Sequence, residues 1–476
     1  MQPLRSIDPV IVFRNSQGDS ARGTLTRLQR RSLEMELYTP NSVVRISEVL
    51  NELTIRSGLK TIYQGKAAVV GLVNTGLMSV VSVTLSDEWQ DLQVMGLDKE
   101  SVAQEALAFV DDWQKRFTIR HDYQVVVSEM RAYLSEASRW IDQADIASGL
   151  PRDASGRVSE DVFYGLATPL VEKGSEFLTR LEAVASQVDE PHAAVHRSFA
   201  QAAIHPLILQ APFVYRTFAK PLGYAGDYEM VNQILGDPRQ GSSTYIQLVN
   251  LLFLKAGVAQ AHRNRIDILC SKLDMLAKQA VAEQRSLRVL NIGCGPAAEI
   301  QRFIRNNPDF DKLEFVLVDF SSETLEYTRE RLLEAQAGTG KSLRFTLQHE
   351  SVNQLLKRTQ RATVAPAEEQ FDFVYCAGLF DYLTDKVCLR LVKYFASRLR
   401  PGGRILVTNV HSDNPQRYVM EHLLEWYLIY RDEQQMQSVL DGVAATSTLY
   451  TDETGVNIFG ELALNVEHKV AAIASH

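Results

Sequence analysis

The sequence is poor in cysteine and lacks any block of consecutive basic residues. Its 476 residues include four cysteines, Cys270, Cys294, Cys376 and Cys388, whose spacing does not fit a metal site. We therefore expect reduced, buried thiols in a cytoplasmic protein, with no metal. The net charge of −8 and the missing Lys/Arg run argue against a protein that binds nucleic acid.

Long hydrophobic segments are also scarce. The first ten residues, MQPLRSIDPV, lack the apolar core of a signal peptide. One uncharged stretch, 67–85, is long enough to suggest a membrane helix, but Asn74, Thr75 and Gly76 interrupt it, and it is rich in Val, Ser and Thr. Two strands joined by a turn fit it better, so no integral membrane association is expected.

The length suffices for two to four domains, and the patterning predicts three. Residues 1–98 alternate apolar and polar side chains between turn signals, which predicts a small β-barrel. Residues 99–282 have helical periodicity, with helices expected over 101–117, 123–142, 160–186 and 190–203. Residues 283–476 alternate strands with helices, so the expected class is a multidomain α/β protein with a Rossmann-like C-terminal domain.

A glycine loop near the start of the third domain is the strongest functional signal. Residues 287–302, LRVLNIGCGPAAEIQR, read as an apolar strand, a loop with Gly293 and Gly295, and the start of a helix. The next strand, 313–318, ends in Asp319. Nucleotide-binding folds keep an acceptor for ribose hydroxyls at about this place. The pattern predicts a site for an adenosine-containing ligand.

Three interpretations of this loop compete: a dinucleotide site, a site for S-adenosylmethionine (AdoMet), and a turn with no ligand. Pro296 argues against the dinucleotide, because it removes a backbone N–H from the helix entrance, where a pyrophosphate needs donors. AdoMet carries no phosphate and tolerates this loss.

The rest of the domain resembles class I AdoMet methyltransferases. A strand at 371–376 precedes the loop AGLFDYL (377–383), a helix at 387–399, the turn RPGG (400–403) and a strand at 405–410. Segments 447–450 and 457–466 fit the hairpin that closes this fold. The resemblance implies AdoMet as cofactor and a parallel sheet whose last strand is antiparallel.

The same resemblance assigns cofactor contacts to this chain. The amino acid part of AdoMet is expected at Gly293, Gly295 and Glu299, and the ribose at Asp319. The adenine is expected near Phe320, Ser351 and Val352, and the methionyl end near Cys376, Ala377 and Gly378. Ala297 replaces the third glycine of the usual loop, so its backbone is expected to keep an ordinary φ.

A second unusual segment, 205–230, mixes aromatic, basic and acidic side chains with prolines and glycines, which predicts a loop of rigid turns. A binding site and a packed crossover are both open interpretations. Together with GCGPAAE (293–299) and AGLFDYL, the motifs KPLGYAGDYEM (220–230) and EWYLIYR (425–431) resemble one methyltransferase family. That family is linked to 3-hydroxy fatty acid methyl esters that serve as quorum signals.

The chemistry of the acceptor decides which further residues matter. A carboxylate is already ionised near neutral pH, so it needs cationic and hydrogen-bonding partners rather than a base. The candidates for that role are Arg216, Lys220, Tyr224 and Tyr228, with Arg263 and Arg265 as alternatives. A hydroxyl or amine acceptor would benefit from a base, for which His411 is the candidate, and Asp381 and Tyr382 flank the donor site. An apolar helix expected over 416–430 fits either core packing or an acyl tunnel.

The first domain resembles PilZ domains, which bind cyclic di-GMP. Arg27, Arg30 and Arg31 supply a basic cluster, but the signature D/N-x-S-x-x-G is absent, since 73–76 read VNTG. A nucleotide ligand of this domain and a solvated strand edge are therefore both left open.

Three functions follow as hypotheses. The first is carboxyl O-methylation of a hydrophobic or small organic acid. The second is O- or N-methylation in specialised metabolism, with a hydroxyl or amine acceptor. The third is a regulatory protein whose β-domain senses a ligand. The expected partner is a small-molecule acceptor, and a homodimer is left open.

Overall fold

The computed structural model describes residues 10–15, 20–37, 44, 47–57, 60–74, 79–87, 89, single positions between 103 and 111, 118–147, 149–359, 366, 369–441, 443 and 445–464. The chain divides into two compact units, one with residues 1–117 and Lys220–Tyr224, the other with residues 118–219 and 225–476. Within these described ranges, no helix is both long and apolar enough to cross a membrane.

The first unit contains a closed six-stranded barrel, in which the strands lie in the order β1-β2-β3-β6-β5-β4. The strands are β1 Val10–Arg14, β2 Ser20–Leu28, β3 Ser32–Leu37, β4 Val49–Ser57, β5 Lys60–Asn74 and β6 Ser79–Leu85. Alternate side chains, among them Ile11, Met35 and Val83, fill the interior, because successive strand residues point to opposite faces. The predicted barrel is confirmed.

The uncharged stretch 67–85 forms two antiparallel strands, as predicted. Val69 pairs with Val83 across β5 and β6, and the predicted turn at Thr75–Gly76 lies outside the described residues. β5 is longer than expected, since it runs without a break from Lys60 through Tyr63 to Asn74.

The second unit begins with helices. They are α1 His121–Ala147, α2 Glu160–Ala185, α3 Glu190–Ile208, α4 Pro212–Ala219, α5 Tyr228–Leu235, α6 Thr244–Leu254 and α7 Gly257–Ala282. Most of the helix predicted over 101–117 lies outside the described residues. These helices share an apolar core that includes the hydrophobic residues of α6, a helix that is buried along its whole length.

The prediction of a loop over 205–230 is wrong for much of that segment. α3 continues through His205 and Pro206 to Ile208, and Pro212 opens α4. Proline is tolerated at the first position of a helix, where its missing N–H would have no partner within the helix. A new helix, α5, begins at Tyr228.

The helix predicted over 416–430 is also shorter than expected. α12 spans Arg417–Leu423 and stops because Glu425 adopts a left-handed φ of 49°, after which Trp426 N–H donates to Met420 O at 3.0 Å. A left-handed residue followed by a backbone hydrogen bond into the last turn commonly ends a helix. Met420, Leu423 and Trp426 are buried in the helical core, which favours core packing over a tunnel at these positions.

The remainder of the second unit is a seven-stranded sheet in the order β12-β13-β11-β10-β7-β8-β9. Its strands are β7 Leu287–Ile292, β8 Leu313–Asp319, β9 Arg344–His349, β10 Phe371–Ala377, β11 Leu399–Val410, β12 Ala445–Thr451 and β13 Asn457–Leu464. Strands β7 to β11 are parallel, and β13 is antiparallel to both of its neighbours. The Rossmann-like sheet with an antiparallel last strand is confirmed.

Helices pack on both faces of this sheet, as its nearly continuous apolar strands require. These are α7 with α8 Ala298–Asn306 and α9 Ser322–Gln336 on one face, and α10 Val352–Thr359, α11 Asp385–Ser397 and α13 Glu433–Leu440 on the other. The RPGG turn lies inside β11, where the pairing with β10 jumps from Leu399 to Arg404. That insertion lets the strand begin, turn and resume beside β10.

Candidate active site

The strand order places the ends of β7 and β10 side by side. β7 pairs with β8 on one side and with β10 on the other, so the chain changes direction across the sheet between β7 and β10. Open parallel sheets bind ligands at such a switch point, outside the carboxyl ends of the strands. A Cβ placed on Gly293, after β7, would lie 3.5 Å from Leu379 Cβ, after β10. The two predicted cofactor loops therefore adjoin.

The glycine loop uses left-handed backbone at three alternate positions. Gly293 has a φ of 70°, Gly295 of 51° and Ala297 of 50°. The prediction that Ala297 keeps an ordinary φ is wrong. Alanine pays roughly 1–2 kcal/mol for this conformation, and the loop imposes it because Ala297 begins α8 while its N–H donates to Cys294 O at 3.0 Å.

Asp319 ends β8 beside this loop and is buried. Its Oδ2 accepts Gly295 N–H at 3.1 Å, and its Oδ1 accepts Ser321 N–H at 3.0 Å. Burial raises the pKa of Asp319, and the two backbone donors oppose the rise. A carboxylate oxygen has more than one lone pair, so both oxygens retain capacity for hydroxyl donors.

Glu299 lies in the first turn of α8 and is buried below the loop. Its Oε1 accepts hydrogen bonds from Tyr375 Oη at 2.7 Å and from Asn291 Nδ2 at 3.2 Å. These partners come from β10 and β7, so Glu299 joins the two central strands. Burial raises the pKa of Glu299. Its predicted contact with the cofactor stays a prediction.

The loop after β10 brings Cys376, Ala377 and Gly378 to the same edge. Cys376 is fully buried, and burial raises the pKa of its thiol, as expected for a packing residue. Gly378 has a φ of 97° and donates its N–H to Thr408 Oγ1 at 3.0 Å. A Cβ on Gly378 would lie 3.0 Å from Arg265 Nη1, so both backbone and space favour glycine there.

Arg265 reaches this loop from α7 and is 6% exposed. Its Nη1 is buried and has no hydrogen-bond partner in the described part of the chain. Burial lowers the pKa of Arg265, and the buried acids Asp381 and Glu299 oppose the shift from a distance. The sequence offers Arg265 only as an alternative candidate for binding the acceptor, because an arginine on a helix is more often solvated.

The predicted adenine side follows β8 and β9. Phe320 is partly buried, and its carbonyl accepts a hydrogen bond from a ring nitrogen of His349 at 2.7 Å. Ser351 and Val352 are partly buried at the start of α10, where Ser351 N–H donates to Gln354 Oε1 at 2.7 Å. Phe320 follows β8, the neighbour of β7, whereas Ser351 and Val352 follow β9, one strand further along the sheet. Their contact with adenine stays a prediction.

Asp381 and Arg431 brace the loop after β10. Asp381 Oδ1 accepts Val410 N–H at 2.7 Å, and burial raises the pKa of Asp381 to about 6. Arg431 is 1% exposed and donates to Phe380 O, Leu383 O and Asp385 Oδ1 at 2.9, 2.6 and 2.8 Å. Arg431 was missed as a separate residue, although it ends the EWYLIYR motif.

The predicted acceptor groups Arg216 and Tyr228 bind other residues of the same unit. Arg216 Nε donates to both oxygens of the buried Asp227, at 2.8 and 3.0 Å. Tyr228 Oη donates to Glu323 Oε1 at 2.9 Å, and burial and this bond raise the pKa of Tyr228 to about 12. Both groups are thus engaged, and their role toward an acceptor stays a prediction.

The remaining acceptor candidates lie elsewhere. Tyr224 and Lys220 belong to the turn Lys220–Tyr224, which is part of the first unit and is closed by Gly223 N–H donating to Lys220 O at 2.8 Å. Arg263 donates to Ile234 O and to Leu254 O, both at 3.0 Å. A structural role explains Arg263.

His411 follows β11 and is buried. Its Nδ1 accepts Asp413 N–H at 3.1 Å, and its Nε2 lies 3.2 Å from Glu433 Oε2. Nδ1 is therefore engaged by the backbone, whereas Nε2 is buried beside Glu433 without a hydrogen bond among the described residues. The role of His411 toward an acceptor stays a prediction.

Tyr382 ties the loop after β10 to neighbouring segments. Its Oη accepts Trp426 Nε1–H at 3.0 Å, and a Cβ on Gly226 would lie 2.6 Å from the same oxygen. Segment 225–228 therefore touches the chain after β10 through Gly226 and the chain after β8 through Tyr228. No cluster of three His, Cys, Asp or Glu side chains that could hold a metal occurs among the described residues.

Comparison with known proteins agrees with this sheet and loop geometry. Residues 290–405, which run from β7 into β11, match the family described as a methyltransferase domain. This part of the chain is therefore a methyltransferase domain. No curated protein matches the chain.

Several solved structures are similar at low identity. A protein from Bordetella parapertussis described as a possible exported protein is 15% identical, with a TM-score of 0.41, over 72% of this chain and 96% of that one. The N-methyltransferase NodS from Bradyrhizobium japonicum WM9, in complex with S-adenosyl-L-homocysteine, is 14% identical, with a TM-score of 0.28, over 43% and 87%. Magnesium protoporphyrin IX methyltransferase from Synechocystis PCC 6803, with bound S-adenosyl-L-homocysteine, is 11% identical, with a TM-score of 0.32, over 56% of this chain and 99% of that one.

Proposed function

We propose that this chain is an AdoMet-dependent methyltransferase that methylates the carboxyl group of a hydrophobic or small organic acid, of the 3-hydroxy fatty acid type. The observation that carries the methyltransferase assignment is Asp319, a buried carboxylate that accepts Gly295 N–H at the switch point of the sheet. The match of residues 290–405 to a methyltransferase domain supports it.

The residues at the carboxyl edge of the sheet fit AdoMet. A Cβ on Gly295 would meet no atom within 4 Å, so the loop offers an open backbone surface. Pro296 contributes no N–H to the entrance of α8, which suits a ligand without phosphate. Asp319 would accept the ribose hydroxyls, while Gly293 and Gly378 would leave room for the methionyl part. When bound, AdoMet supplies a methyl group that its sulfonium already activates.

The protein has then to position the acceptor and to exclude water. The simplest acceptor for such a site is one that needs no general base. A carboxylate meets that condition near neutral pH. Segment 225–228 would cover the bound ligands and so exclude water, since it contacts the chain after both β8 and β10. The acyl type of the acceptor rests on the resemblance carried by 220–230, 293–299 and 425–431.

A product assay tests this proposal. Purified protein is incubated with methyl-labelled AdoMet and matched acids, alcohols and amines of the same chain length. We expect label in the acids alone, released by mild base, as a methyl ester requires. Base-stable label in an alcohol or amine product would contradict the carboxyl acceptor. Binding of AdoMet without transfer to any of these compounds would favour the regulatory hypothesis.

A further inference from the structure

Near the switch point of the sheet, Arg265 is the one buried cation whose guanidinium lacks a hydrogen-bond partner at Nη1 among the described residues. Its Nη1 is buried without a hydrogen bond, although a buried polar atom normally has one and a buried charge is costly without it. Arg431, by contrast, has five hydrogen bonds to four residues. Buried Arg239, whose Nη1 also lacks a hydrogen bond, is paired with Asp237 and Glu160.

The acids near Arg265 are committed to other donors. Asp381 Oδ1 holds Val410 N–H at 2.7 Å, and Glu299 Oε1 holds Tyr375 and Asn291. Both act on Arg265 only through space. Two buried carboxyl groups thus lie near the guanidinium, but neither gives Nη1 a hydrogen bond.

The surroundings point the guanidinium at the ligand side of the sheet. Nη1 and Nη2 would lie 3.0 and 3.4 Å from a Cβ on Gly378, a residue of the loop that adjoins the glycine loop at Gly293. Only glycine leaves this space open. An arginine presents a planar fork that matches the two oxygens of a carboxylate.

We propose that Arg265 binds a carboxylate of the bound ligands at the carboxyl edge of the sheet. This inference rests on the proposed function and deepens it. Two sources carry this chemistry: the methionyl carboxylate of the methyl donor, and the carboxylate of the acceptor. Toward the donor, Arg265 would be a binding residue, because the methionyl carboxylate takes no part in the transfer. Toward the acceptor, it would hold the carboxylate whose oxygen receives the methyl group, and so would contact the reacting atoms.

Isothermal titration of Arg265→Met separates the sources. S-Adenosylhomocysteine has the amino acid carboxylate, and methylthioadenosine lacks it but keeps the adenosine and sulfur. If the donor's carboxylate binds Arg265, affinity for S-adenosylhomocysteine falls at least about tenfold, and affinity for methylthioadenosine stays within twofold. If the acceptor's carboxylate binds there, affinity for S-adenosylhomocysteine is unchanged. A 3-hydroxy acid then binds the S-adenosylhomocysteine complex at least about tenfold more weakly, whereas its methyl ester binds as before.

The folded state supplies an independent readout. Replacing Arg265 by methionine removes the desolvation cost of the guanidinium and also its attraction to Asp381 and Glu299, so the melting temperature of the free protein should change little. Arg263→Met, on the same helix, removes hydrogen bonds to Ile234 O and Leu254 O. It should lower the melting temperature and leave the affinity for S-adenosylhomocysteine unchanged.

The inference is overturned if Arg265→Met changes none of these affinities, or if it weakens both adenosine ligands equally and lowers the melting temperature. The latter result would make Arg265 a structural residue. Wild-type protein that binds neither adenosine ligand would remove the proposed function as well, so failure of the inference alone is recognised by intact wild-type binding.

Discussion

The amino and carboxyl edges of the seven-stranded sheet differ in how their charged groups are paired. At the amino edge, Asp372 pairs with Arg285 at 2.8 Å and with Arg400 at 3.4 Å. It also accepts Arg288 N–H at 2.8 Å. Every one of these groups belongs to the start of a strand or to the residues just before it.

At the carboxyl edge, two charged groups near the switch point have few partners within the protein. Asp319 accepts two backbone N–H groups, and Arg265 Nη1 has no partner among the described residues. Both groups are buried. The amino edge satisfies its own charges, whereas the carboxyl edge keeps groups whose partners a ligand can supply. This difference, rather than the presence of charge, marks the functional edge.

The largest expected effect contrasts Asp319 with Asp372. Asp319→Ala should weaken binding of S-adenosylhomocysteine about 10- to 100-fold, because two hydroxyl donors of the ribose lose a charged acceptor. The melting temperature should also fall, since Gly295 N–H and Ser321 N–H lose their acceptor. Titration calorimetry and thermal denaturation measure the two quantities.

Asp372→Ala is the matched variant at the amino edge. It leaves Arg285 and Arg400 without their shared partner, so the melting temperature should fall while the affinity for S-adenosylhomocysteine is retained. Loss of affinity in this variant, or normal affinity in Asp319→Ala, would contradict the contrast between the edges.

The second prediction is a pH dependence of folding stability that arises from Asp381 at the carboxyl edge. Burial raises the pKa of Asp381 to about 6, above its pKa of about 4 in the unfolded chain. A raised carboxyl pKa contributes stability that is complete below pH ~4 and is lost as pH rises through ~6, at most about 3 kcal/mol.

Asp381→Asn keeps an oxygen that can accept Val410 N–H and cannot ionise. Relative to wild type, the variant should therefore gain stability as the pH rises from 4 to 7, as measured by chemical denaturation at several pH values. A constant difference in unfolding free energy across that range would show that Asp381 does not titrate there.

The third prediction concerns two glycines with left-handed φ. Gly378→Ala should cost roughly 1–3 kcal/mol of stability from backbone strain and should also weaken binding of S-adenosylhomocysteine, since the new methyl group displaces Arg265. Gly402→Ala, at the amino edge, has a φ of 78° and open space around its Cβ. It should lower stability similarly without a change in affinity. Equal loss of affinity in both would remove the link between Gly378 and the ligand.

The smallest effect is expected for the cover segment. Tyr228→Phe removes an exposed hydrogen bond to Glu323, worth about 1 kcal/mol at most, so dissociation of S-adenosylhomocysteine should accelerate no more than about fivefold. Tyr450→Phe removes a similar bond to Glu461 in the closing hairpin and should not change the dissociation rate. Stopped-flow fluorescence compares them, and an unchanged rate in Tyr228→Phe would exclude a covering role.

The sequence predicted the strands of the sheet, the glycine loop and Asp319 because each depends on a local pattern. The conformation of Ala297 was not predictable, since the closure of the loop onto α8 imposes its φ. Nor does sequence spacing tell which of Arg263 and Arg265 reaches the loop after β10. They are two residues apart on α7 and point to different sides, one to helix carbonyls and the other to Gly378.

The acceptor-side predictions were limited for the same reason. Arg216, Tyr228 and His411 have suitable chemistry, but the fold gives them partners in Asp227, Glu323 and Glu433. Periodicity also could not place the end of α12, which depends on the left-handed Glu425.

A crystal structure of the protein with S-adenosylhomocysteine tests the central claim most directly. We predict ribose hydroxyls within hydrogen-bond distance of Asp319 and the homocysteine part between Gly293 and Gly378. A ligand bound elsewhere on the second unit, or bound at this edge with its ribose away from Asp319, would contradict the account.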